Sequence, residues 1–334
     1  MARGVGRKLL ALGLGFLVAL ALAEFLLRCL GFEFPFFPTR LQVGWPDPLI
    51  LQEQYTVDRH LLWVPKDYAE RLAAWRNRRP VVAFLGDSCT EFGFYDRFFE
   101  RRVAAWAPAA KDAFFNVGVS GWSTFQGLHQ LRRDVLPLRP AIVTFFFGWN
   151  DHWQSFGLPD KDLGAAEPRH PLALLRAFHS FRVAQLIGKV FFALGDRRPE
   201  RVSLEDFHAN LEAMVRSARD NGSVPVLLTA PSGHVRGKEP LYLTGRYLHD
   251  PAELLPLHER YVEVVRAVAA AEQAPLVDLA AVFAALPRLE REASFKNDGI
   301  HLTESGDQII AETLERVFLE HSALIGVLGA TRVR

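Results

Sequence analysis

The sequence contains little cysteine and no excess of charge of either sign. Its 334 residues include two cysteines, 39 Lys and Arg, and 38 Asp and Glu. Two cysteines cannot form a disulfide scaffold. A formal net charge of +1 produces no field that would gather nucleic acid or an acidic polymer, so we expect no nucleic-acid partner.

Patterns that bind a metal or a cofactor are also missing. The eleven histidines are scattered, without an H-E-x-x-H motif or a Cys/His grouping of zinc-ligand spacing. Cys29 follows the apolar N-terminal run and Cys89 lies beside Ser88, so we expect two free thiols. We predict no structural metal and no cofactor.

The composition is that of an ordinary globular protein. Hydrophobic residues make up 49% of the chain and charged residues 23%, which supplies enough apolar material for a core. A chain of this length fits one large α/β domain plus an appendage. We find no internal repeat and no low-complexity segment.

The N-terminus predicts a membrane anchor over residues 1–30. Arg3, Arg7 and Lys8 precede an apolar run from Leu9 to Leu27 that only Glu24 interrupts, and about twenty such residues cross a bilayer as a helix. The basic flank is expected to stay in the cytoplasm. We therefore predict a single-pass protein of the cytoplasmic membrane whose residues after position 30 lie on the extracytoplasmic, periplasmic side.

A cleaved signal peptide is the alternative for this segment. Ala21-Leu22-Ala23 has the small residues of a cleavage site behind a short apolar core, and cleavage after Ala23 would release a secreted protein. The apolar stretch resumes at Phe25 beyond that site. This continuation favours the uncleaved anchor.

The rest of the chain divides at about residue 80. Residues 31–79 carry several prolines among aromatic residues, which predicts an extended connector packed on the domain. From Pro80, short apolar runs alternate with longer amphipathic segments, a pattern typical of a parallel sheet wound with helices. We assign residues 80–322 to this domain, with an insertion at 152–202, and residues 323–334 to a C-terminal tail.

Five buried strands and four long helices are predicted within the domain. The strands are Val81–Leu85, Phe114–Val119, Ala141–Phe147, Val224–Thr229 and Pro275–Leu279. The helices are Ser123–Leu136, Ser203–Asp220, Ala252–Ala271 and Thr303–His321, where apolar residues recur at three- and four-residue spacing. Ser203 and Thr303 are expected to cap their helices, with acidic residues in the first turn.

A serine lies where the first strand of the domain turns into a helix. In Gly86-Asp87-Ser88 such a turn holds the hydroxyl out of the sheet and directs unpaired backbone N–H groups towards an approaching oxygen. Alone, this tripeptide also fits a helix N-cap. The other motifs of the sequence are therefore needed to choose between a nucleophile and a helix cap.

A possible general base follows the last strand, in the segment Asn297-Asp298-Gly299-Ile300-His301. A carboxylate three residues before a histidine can fix the ring's tautomer through Nδ1 and leave Nε2 free to take a proton from a serine. Alone, the pair also fits a surface turn with a capping role. Together with Ser88, it favours a catalytic triad of Ser88, His301 and Asp298.

Two further segments end strands at the same edge of the sheet, where ligands bind in doubly wound folds. In the first, Gly121 can offer a backbone N–H, and in the second, Asn150 can offer its side-chain amide. A tetrahedral intermediate needs such donors, each worth about 2.7–4 kcal/mol. Taken alone, Gly121 is also explained as a turn residue, and Asn150 is also explained as part of an Asx turn.

These four blocks resemble those of the SGNH hydrolases, GDSL-like esterases named for the Ser, Gly, Asn and His of their motifs. The resemblance covers about Pro80 to His321 and implies a three-layer α/β/α sandwich with a central parallel five-stranded sheet, similar to flavodoxin. It implies Ser88 as nucleophile with Asp298 and His301 as partners. It also implies an oxyanion hole formed by Ser88, Gly121 and Asn150. Cys89 stands where leucine is frequent in the family.

The charged residues beside these motifs have structural interpretations. Asp87 and Asp151 are expected to fix their loops. Glu91 lies three residues beyond Ser88 and either supports the helix start electrostatically, which we favour, or contacts substrate.

Two tryptophans adjoin the proposed oxyanion donors. Trp122 follows Gly121 and Trp149 precedes Asn150, so exposed rings there could bind substrate by stacking on a sugar. The competing role is burial in the core.

Two longer segments could cover the site. The insertion contains an apolar part from Pro171 to Leu194 with interspersed basic residues. This pattern fits a lid, a membrane-facing helix or a helix that covers the sheet, and we favour the last of these. A loop from Pro231 to Pro251 could form a roof.

The sequence thus predicts a serine ester hydrolase that acts on O-acyl esters, with an O-acetyl group on an extracytoplasmic carbohydrate as the favoured substrate. The N-terminal segment and the motif variants resemble those of membrane-bound bacterial members associated with cell-surface polysaccharides, so proteins of polysaccharide assembly are possible partners. A polysaccharide O-acetyltransferase that forms the same acyl-enzyme is an alternative. A noncatalytic, membrane-tethered binding subunit is another.

Overall fold

The computed structural model describes residues 2–33, 53–76, 78, 80–155, 159–164, 178, 180–193, 199–243 and 247–330. Its helices and strands are, in chain order, α1 (Ala2–Cys29), β1 (Tyr55–Asp58), β2 (Leu62–Pro65), α2 (Tyr68–Trp75), β3 (Val82–Gly86), α3 (Ser88–Glu91), α4 (Tyr95–Trp106), β4 (Phe114–Asn116), α5 (Thr124–Gln130), β5 (Ile142–Phe146), α6 (Asp160–Gly164), α7 (Arg182–Ala193), α8 (Leu204–Asp220), β6 (Val224–Leu228), α9 (Leu254–Ala271), β7 (Leu276–Val277), α10 (Leu279–Ala285), α11 (Arg288–Ala293), α12 (Glu304–Glu320) and α13 (Ser322–Ala330).

A parallel sheet of five strands, in the order β4-β3-β5-β6-β7, forms the centre of the domain. Every residue of β3 and β5 is buried, as expected for strands covered by helices on both faces. Helices α4 and α12 pack together as one layer, and α5, α8 and α9 form the other. The predicted three-layer α/β fold with a five-stranded parallel sheet is confirmed.

The predicted strands and helices are present, with shifted ends. β4 ends at Asn116, whose side chain accepts a hydrogen bond from the N–H of Gly118, although the N–H groups of Val117 and Val119 still donate to Phe84 and Gly86 of β3. Ser203 and Thr303 cap α8 and α12 as predicted. The predicted helix over Ser123–Leu136 changes after Gln130 into a π turn and then a 3₁₀ turn.

The prediction of an extended connector over residues 31–79 is wrong for residues 53–76. That part forms an antiparallel hairpin of β1 and β2, followed by α2. The side chains of Leu61 and Trp63 belong to the buried core, and burial of this apolar surface stabilises the hairpin against the sheet domain. Residues 34–52 lie outside the described residues.

The C-terminal tail also has regular structure. Helix α13 covers most of residues 323–334, and Leu324 and Leu328 are buried against the domain. The insertion is described only in part, and residues 165–177 lie outside that part. Its helix α7 packs against α1, so our favoured interpretation of a helix that covers the sheet is wrong for residues 182–193.

Helix α1 is long and apolar enough over Gly6–Cys29 to cross a membrane. Its apolar side chains are largely exposed. An exposed apolar helix of this length is consistent with a signal anchor, and it passes the same test as a signal sequence.

The turn from β3 into α3 requires a glycine at position 86. A Cβ added to Gly86 would lie 2.0 Å from Thr90 Oγ1 and 2.8 Å from the carbonyl oxygen of Phe146. We predict that Gly86→Ala lowers the free energy of unfolding by about 1–3 kcal/mol through overpacking, measured by urea titration of tryptophan fluorescence.

Gly326→Ala is the matched control for this substitution. Gly326 lies in α13, and an added Cβ meets nothing within 4 Å. Alanine there should be neutral or stabilise by up to about 1 kcal/mol through helix propensity. Equal stability of the two variants would contradict the steric explanation.

Candidate active site

Ser88 begins α3 directly after β3, at the carboxyl edge of the sheet. The side chain of Asp87 caps this short helix, because its Oδ1 accepts a hydrogen bond of 2.9 Å from the N–H of Cys89. The cap holds the turn in place and leaves the N–H of Ser88 at the end of the helix, without an intrahelical acceptor. The Ser88 hydroxyl therefore lies on a fixed turn, 6% exposed.

His301 approaches Ser88 from the loop between α11 and α12. Its Nε2 lies 2.8 Å from Ser88 Oγ, and its Nδ1 lies 2.6 Å from Asp298 Oδ2. The other carboxylate oxygen of Asp298 accepts the backbone N–H groups of Ile300 and His301, both at 2.9 Å. An ionised carboxylate only accepts hydrogen bonds, so Nδ1 carries the proton and Nε2 can accept one from Ser88.

The surroundings of Asp298 favour its ionised form. Burial raises the pKa of Asp298, but the hydrogen bonds from His301 and from the N–H of Ile300 outweigh it and lower the pKa to about 2. The carboxylate is therefore charged throughout the neutral range and can stabilise a positive imidazolium beside it.

Cys89 is a packing residue beside this triad. Burial raises the pKa of its thiol well above the usual value, which disfavours the nucleophilic thiolate. Its Sγ contacts the carbonyl oxygen of Ile300 at 3.7 Å. The side chain thus joins the helix of Ser88 to the loop of His301.

Gly121 lies on a loop that the sheet holds next to the Ser88 turn. The N–H of Val119 donates to the carbonyl oxygen of Gly86 at 3.1 Å, so the loop follows the end of β3. The φ angle of Gly121 is +76°, which favours glycine. Among the described residues, the N–H groups of Ser88 and Gly121 have no protein acceptor, so both remain able to bind a ligand oxygen.

A buried ion pair holds the other side of this loop. Arg201 Nη1 donates to the carbonyl oxygen of Gly121 at 2.7 Å, and its Nη2 lies 2.7 Å from Asp160 Oδ2. Their side chains are 5% and 2% exposed. Ser123 Oγ also donates to Asp160 at 2.7 Å, so the cation, the anion and the loop form one network of satisfied polar groups.

Asn150 lies beside the same turn. Its Nδ2 donates to Asp87 Oδ2 at 3.0 Å, so Asp87 orients the amide as well as capping α3. An amide nitrogen has two hydrogens, and this bond uses one of them. Asp151 contacts the N–H of Thr124 at 2.8 Å and fixes the adjoining loop.

The two tryptophans are core residues and do not form a sugar platform. Trp122 is 0% exposed, and its indole N–H donates to the carbonyl oxygen of Trp63. Trp149 is 2% exposed, and its ring stacks on His258 with centroids 3.9 Å apart. Buried faces cannot stack on a ligand, so the substrate-binding hypothesis for Trp122 and Trp149 is wrong.

The hairpin β1–β2 forms part of the wall behind Gly121, a role that the sequence did not reveal. Glu91 Oε2 accepts hydrogen bonds of 2.6 Å from Tyr55 and from the N–H of Ser120. The indole N–H of Trp63 donates to the carbonyl oxygen of Ser120. Glu91 is therefore a buried link between α3, the hairpin and the Gly121 loop, and not a support for the helix start alone.

Part of the loop after β6 packs on the loop of His301. The N–H of Gly233 donates to the carbonyl oxygen of Gly299 at 2.9 Å, and Ser232 Oγ lies 3.1 Å from His234 Nδ1. This contact supports the loop of Asp298 and His301 from the side. Residues 244–246 of the expected roof lie outside the described residues.

The described residues contain no cluster of three or more His, Cys, Asp or Glu that could hold a metal ion. Both cysteines are free, with Cys29 exposed and Cys89 buried. The chemistry that the side chains themselves can perform is proton transfer from a serine to a histidine, next to donors for a developing oxyanion.

The chain is similar to several proteins of known structure. Similar solved structures include a lipase/acylhydrolase from Enterococcus faecalis, with 20% identity, coverage of 70% of this chain and 93% of that one, and a TM-score of 0.46. A GDSL-like lipase from Bacteroides thetaiotaomicron has 20% identity, coverage of 76% and 97%, and a TM-score of 0.46. An acetylxylan esterase from Geobacillus stearothermophilus has 18% identity, coverage of 71% and 92%, and a TM-score of 0.46.

Among curated proteins, none matches the chain significantly. A family model, in contrast, matches residues 84–309, which is more than half of the chain and contains all four motif blocks. The chain therefore belongs to the GDSL-like Lipase/Acylhydrolase family and is a hydrolase acting on ester bonds.

Proposed function

We propose that this protein is a membrane-anchored serine esterase that removes O-acyl groups, O-acetyl groups above all, from an extracytoplasmic carbohydrate. The hydrogen-bonded series Asp298–His301–Ser88, with contacts of 2.6 and 2.8 Å, carries the proposal. It has the order that an activated serine needs: an orienting carboxylate, a general base and a hydroxyl.

The first half of the reaction is acylation of Ser88. As Ser88 Oγ attacks the ester carbonyl carbon, its proton passes to His301 Nε2 and a C–O bond forms. The carbonyl oxygen becomes an oxyanion, which the N–H groups of Ser88 and Gly121 and the free amide hydrogen of Asn150 stabilise. The imidazolium then protonates the leaving alcohol oxygen, and the original ester bond breaks.

The second half is deacylation. A water molecule gives a proton to His301 Nε2 and attacks the acyl carbon. The tetrahedral intermediate uses the same donors, and it collapses with return of the proton to Ser88 Oγ. Asp298 stays ionised throughout because its pKa is about 2, so it stabilises the imidazolium in both steps without taking the proton itself.

The location and the substrate class rest on the N-terminus and on the motif resemblance. Helix α1 is long and apolar enough to cross a membrane, and by the positive-inside rule its basic N-terminal flank favours a domain outside the cytoplasm. Acylated surface carbohydrates are ester substrates of that compartment. The membrane-bound members that the motifs resemble are associated with such polysaccharides.

Ser88→Ala should reduce turnover by about a thousandfold or more, because it removes the nucleophile. The same variant should lose labelling by a fluorophosphonate, which reacts with activated serines. Turnover is measured on a panel of acetyl and longer-chain esters, including an acetylated polysaccharide.

Ser217→Ala is the matched control, since Ser217 lies near the end of α8, where its Oγ accepts a hydrogen bond from Arg132. This variant should keep both labelling and turnover. Background activity of the native protein on every ester, with no labelling, would favour a binding subunit over an enzyme.

Asp298→Asn should lower kcat by about three to four orders of magnitude, because an amide cannot hold the Nδ1-protonated tautomer. It should also change the dependence of stability on pH. The pKa of Asp298 in the folded protein, about 2, lies below its usual value of 3.8. The ionised carboxylate therefore stabilises the folded protein above pH 3.8, and this stabilisation is lost as the pH falls towards 2.

The stability measurement compares the native protein with the Asn variant by thermal unfolding across pH 2–6. The difference between them should be constant at the upper end and shrink as pH falls through the window set by the two pKa values. A difference that stays constant down to pH 2 would contradict an ionised Asp298 in the folded protein.

Transfer of the acyl group to a sugar is the competing outcome for the same acyl-enzyme. We predict that water is the main acceptor, because the side chain of His301, which would activate the acceptor, is 23% exposed and so is open to solvent. The measurement is the ratio of free acetate to acetylated sugar when an oligosaccharide is added. Product sugar in excess of acetate would assign the protein as an O-acetyltransferase.

A further inference from the structure

Helix α7 presents a cluster of exposed apolar side chains. Large apolar residues are exposed in and just before it: Phe178, Phe181, Leu186, Ile187 and Val190. Outside α1, the other exposed large apolar residues of the described chain are Leu30, directly after that helix, and residues spread along the chain: Phe92, Phe94, Leu241, Leu289, Leu319 and Ile325. Single exposed apolar residues are ordinary, whereas a cluster on one helix marks an interaction surface.

The opposite side of α7 packs against α1. Gln185 and Gly188 are buried there. On α1, the partly buried residues are Leu20, Ala23, Glu24 and Leu27, whose spacing of three and four places them on one face of the helix. The two helices therefore contact each other along the last two turns of the apolar run.

Glu24, the acid that interrupts the apolar run, caps α7. Its Oε2 accepts the N–H of Val183 at 2.9 Å, and Val183 lies in the first turn of α7, where N–H groups have no intrahelical acceptor. Its Oε1 accepts from Arg28 Nε at 2.8 Å. A carboxylate at a helix N-terminus is also favoured by the helix dipole, so this costly charge in an apolar segment is fully paired.

Further polar contacts join the end of α1 to the start of α7. Arg28 Nη2 donates to the carbonyl oxygen of Ser180 at 3.1 Å, and Arg182 forms an ion pair with Glu33. Lys189 Nζ lies 5.5 Å from the centroid of the Phe32 ring. These charged groups thus lie together at the C-terminal end of α1 and just beyond it.

We propose that α7 is a second membrane-binding element, which lies in the extracytoplasmic leaflet against the end of α1. The side of the helix that carries Phe181, Ile187 and Val190 enters the lipid. Arg182 and Lys189 lie at the level of the lipid headgroups, as in an interfacial amphipathic helix. The bilayer is the occupant of this surface because the surface is continuous with α1. The proposal rests on α1 lying in the membrane and is independent of the esterase activity.

The test measures the depth of α7 in lipid. The full-length protein carrying Cys29→Ser and Ile187→Cys is labelled with an environment-sensitive fluorophore and reconstituted in vesicles of phosphatidylethanolamine and phosphatidylglycerol. Leu289→Cys is the matched control, since Leu289 on α11 is 79% exposed and Ile187 is 61% exposed. Cys89 is buried and stays unlabelled.

Spin-labelled lipids should quench the fluorophore at position 187 several-fold more than the one at 289, and iodide in the water should show the reverse order. A depth of about 5–10 Å is the range for an interfacial helix. Equal quenching at the two positions overturns the proposal. Shielding of position 187 from both quenchers also overturns it, in favour of a protein partner or a second copy of the chain.

Failure of the anchor itself has a different signature. A mature protein that begins at Glu24 and is released by alkaline carbonate would show that α1 is cleaved, and it too overturns the proposal. Neither readout depends on turnover, so loss of the esterase assignment would leave both intact.

The capping contact has its own variant pair. In Glu24→Ala, the backbone N–H of Val183 loses its acceptor, so hydrogen exchange at the start of α7 should accelerate several-fold in reconstituted protein. Glu24→Gln keeps an acceptor oxygen and should restore part of the protection. Identical exchange in the native protein and both variants would contradict the coupling of the two helices.

Discussion

The hydrogen bond between Ser88 and His301 joins residues that are 213 positions apart. Its length of 2.8 Å is possible because Ser88 follows β3 and His301 lies on the loop before α12, a helix that packs on the sheet through β7. The parallel sheet sets the position of both groups at one edge. Strand register, helix packing and the two loop conformations must all hold for this contact to form.

The polar groups around this contact support one another. Asp87 binds both the N–H of Cys89 and the amide of Asn150, so one carboxylate sets the position of two motif blocks. Arg201 and Asp160 do the same for the Gly121 loop from the insertion side. Because these groups are buried, leaving one of them unpaired costs more than the net value of the bond itself.

The segments outside the sheet domain are part of the same structure. The hairpin β1–β2 contributes Tyr55 and Trp63 to the wall behind Gly121. Helix α7, from the insertion, receives its cap from Glu24 of α1. The N-terminal helix thus contacts the insertion, and the hairpin contacts the proposed site, so neither is a passive tether.

Local pattern was sufficient for much of this protein. Strands buried on both faces are continuous apolar runs, and helix caps are short-range signals, so the five strands and the caps at Ser203 and Thr303 could be predicted from the sequence. The motif blocks could also be placed at one edge of the sheet, because parallel strands all end there.

The tertiary structure decided what local pattern cannot contain. Whether Trp122 and Trp149 are exposed depends on Trp63, Pro231 and His258, which come from distant segments. The partners of Glu91 and Glu24 also lie on other elements. A sequence determines the period of its apolar residues and the chemistry of its side chains, but burial and pairing are properties of contacts between segments, and these exist only once the chain has folded.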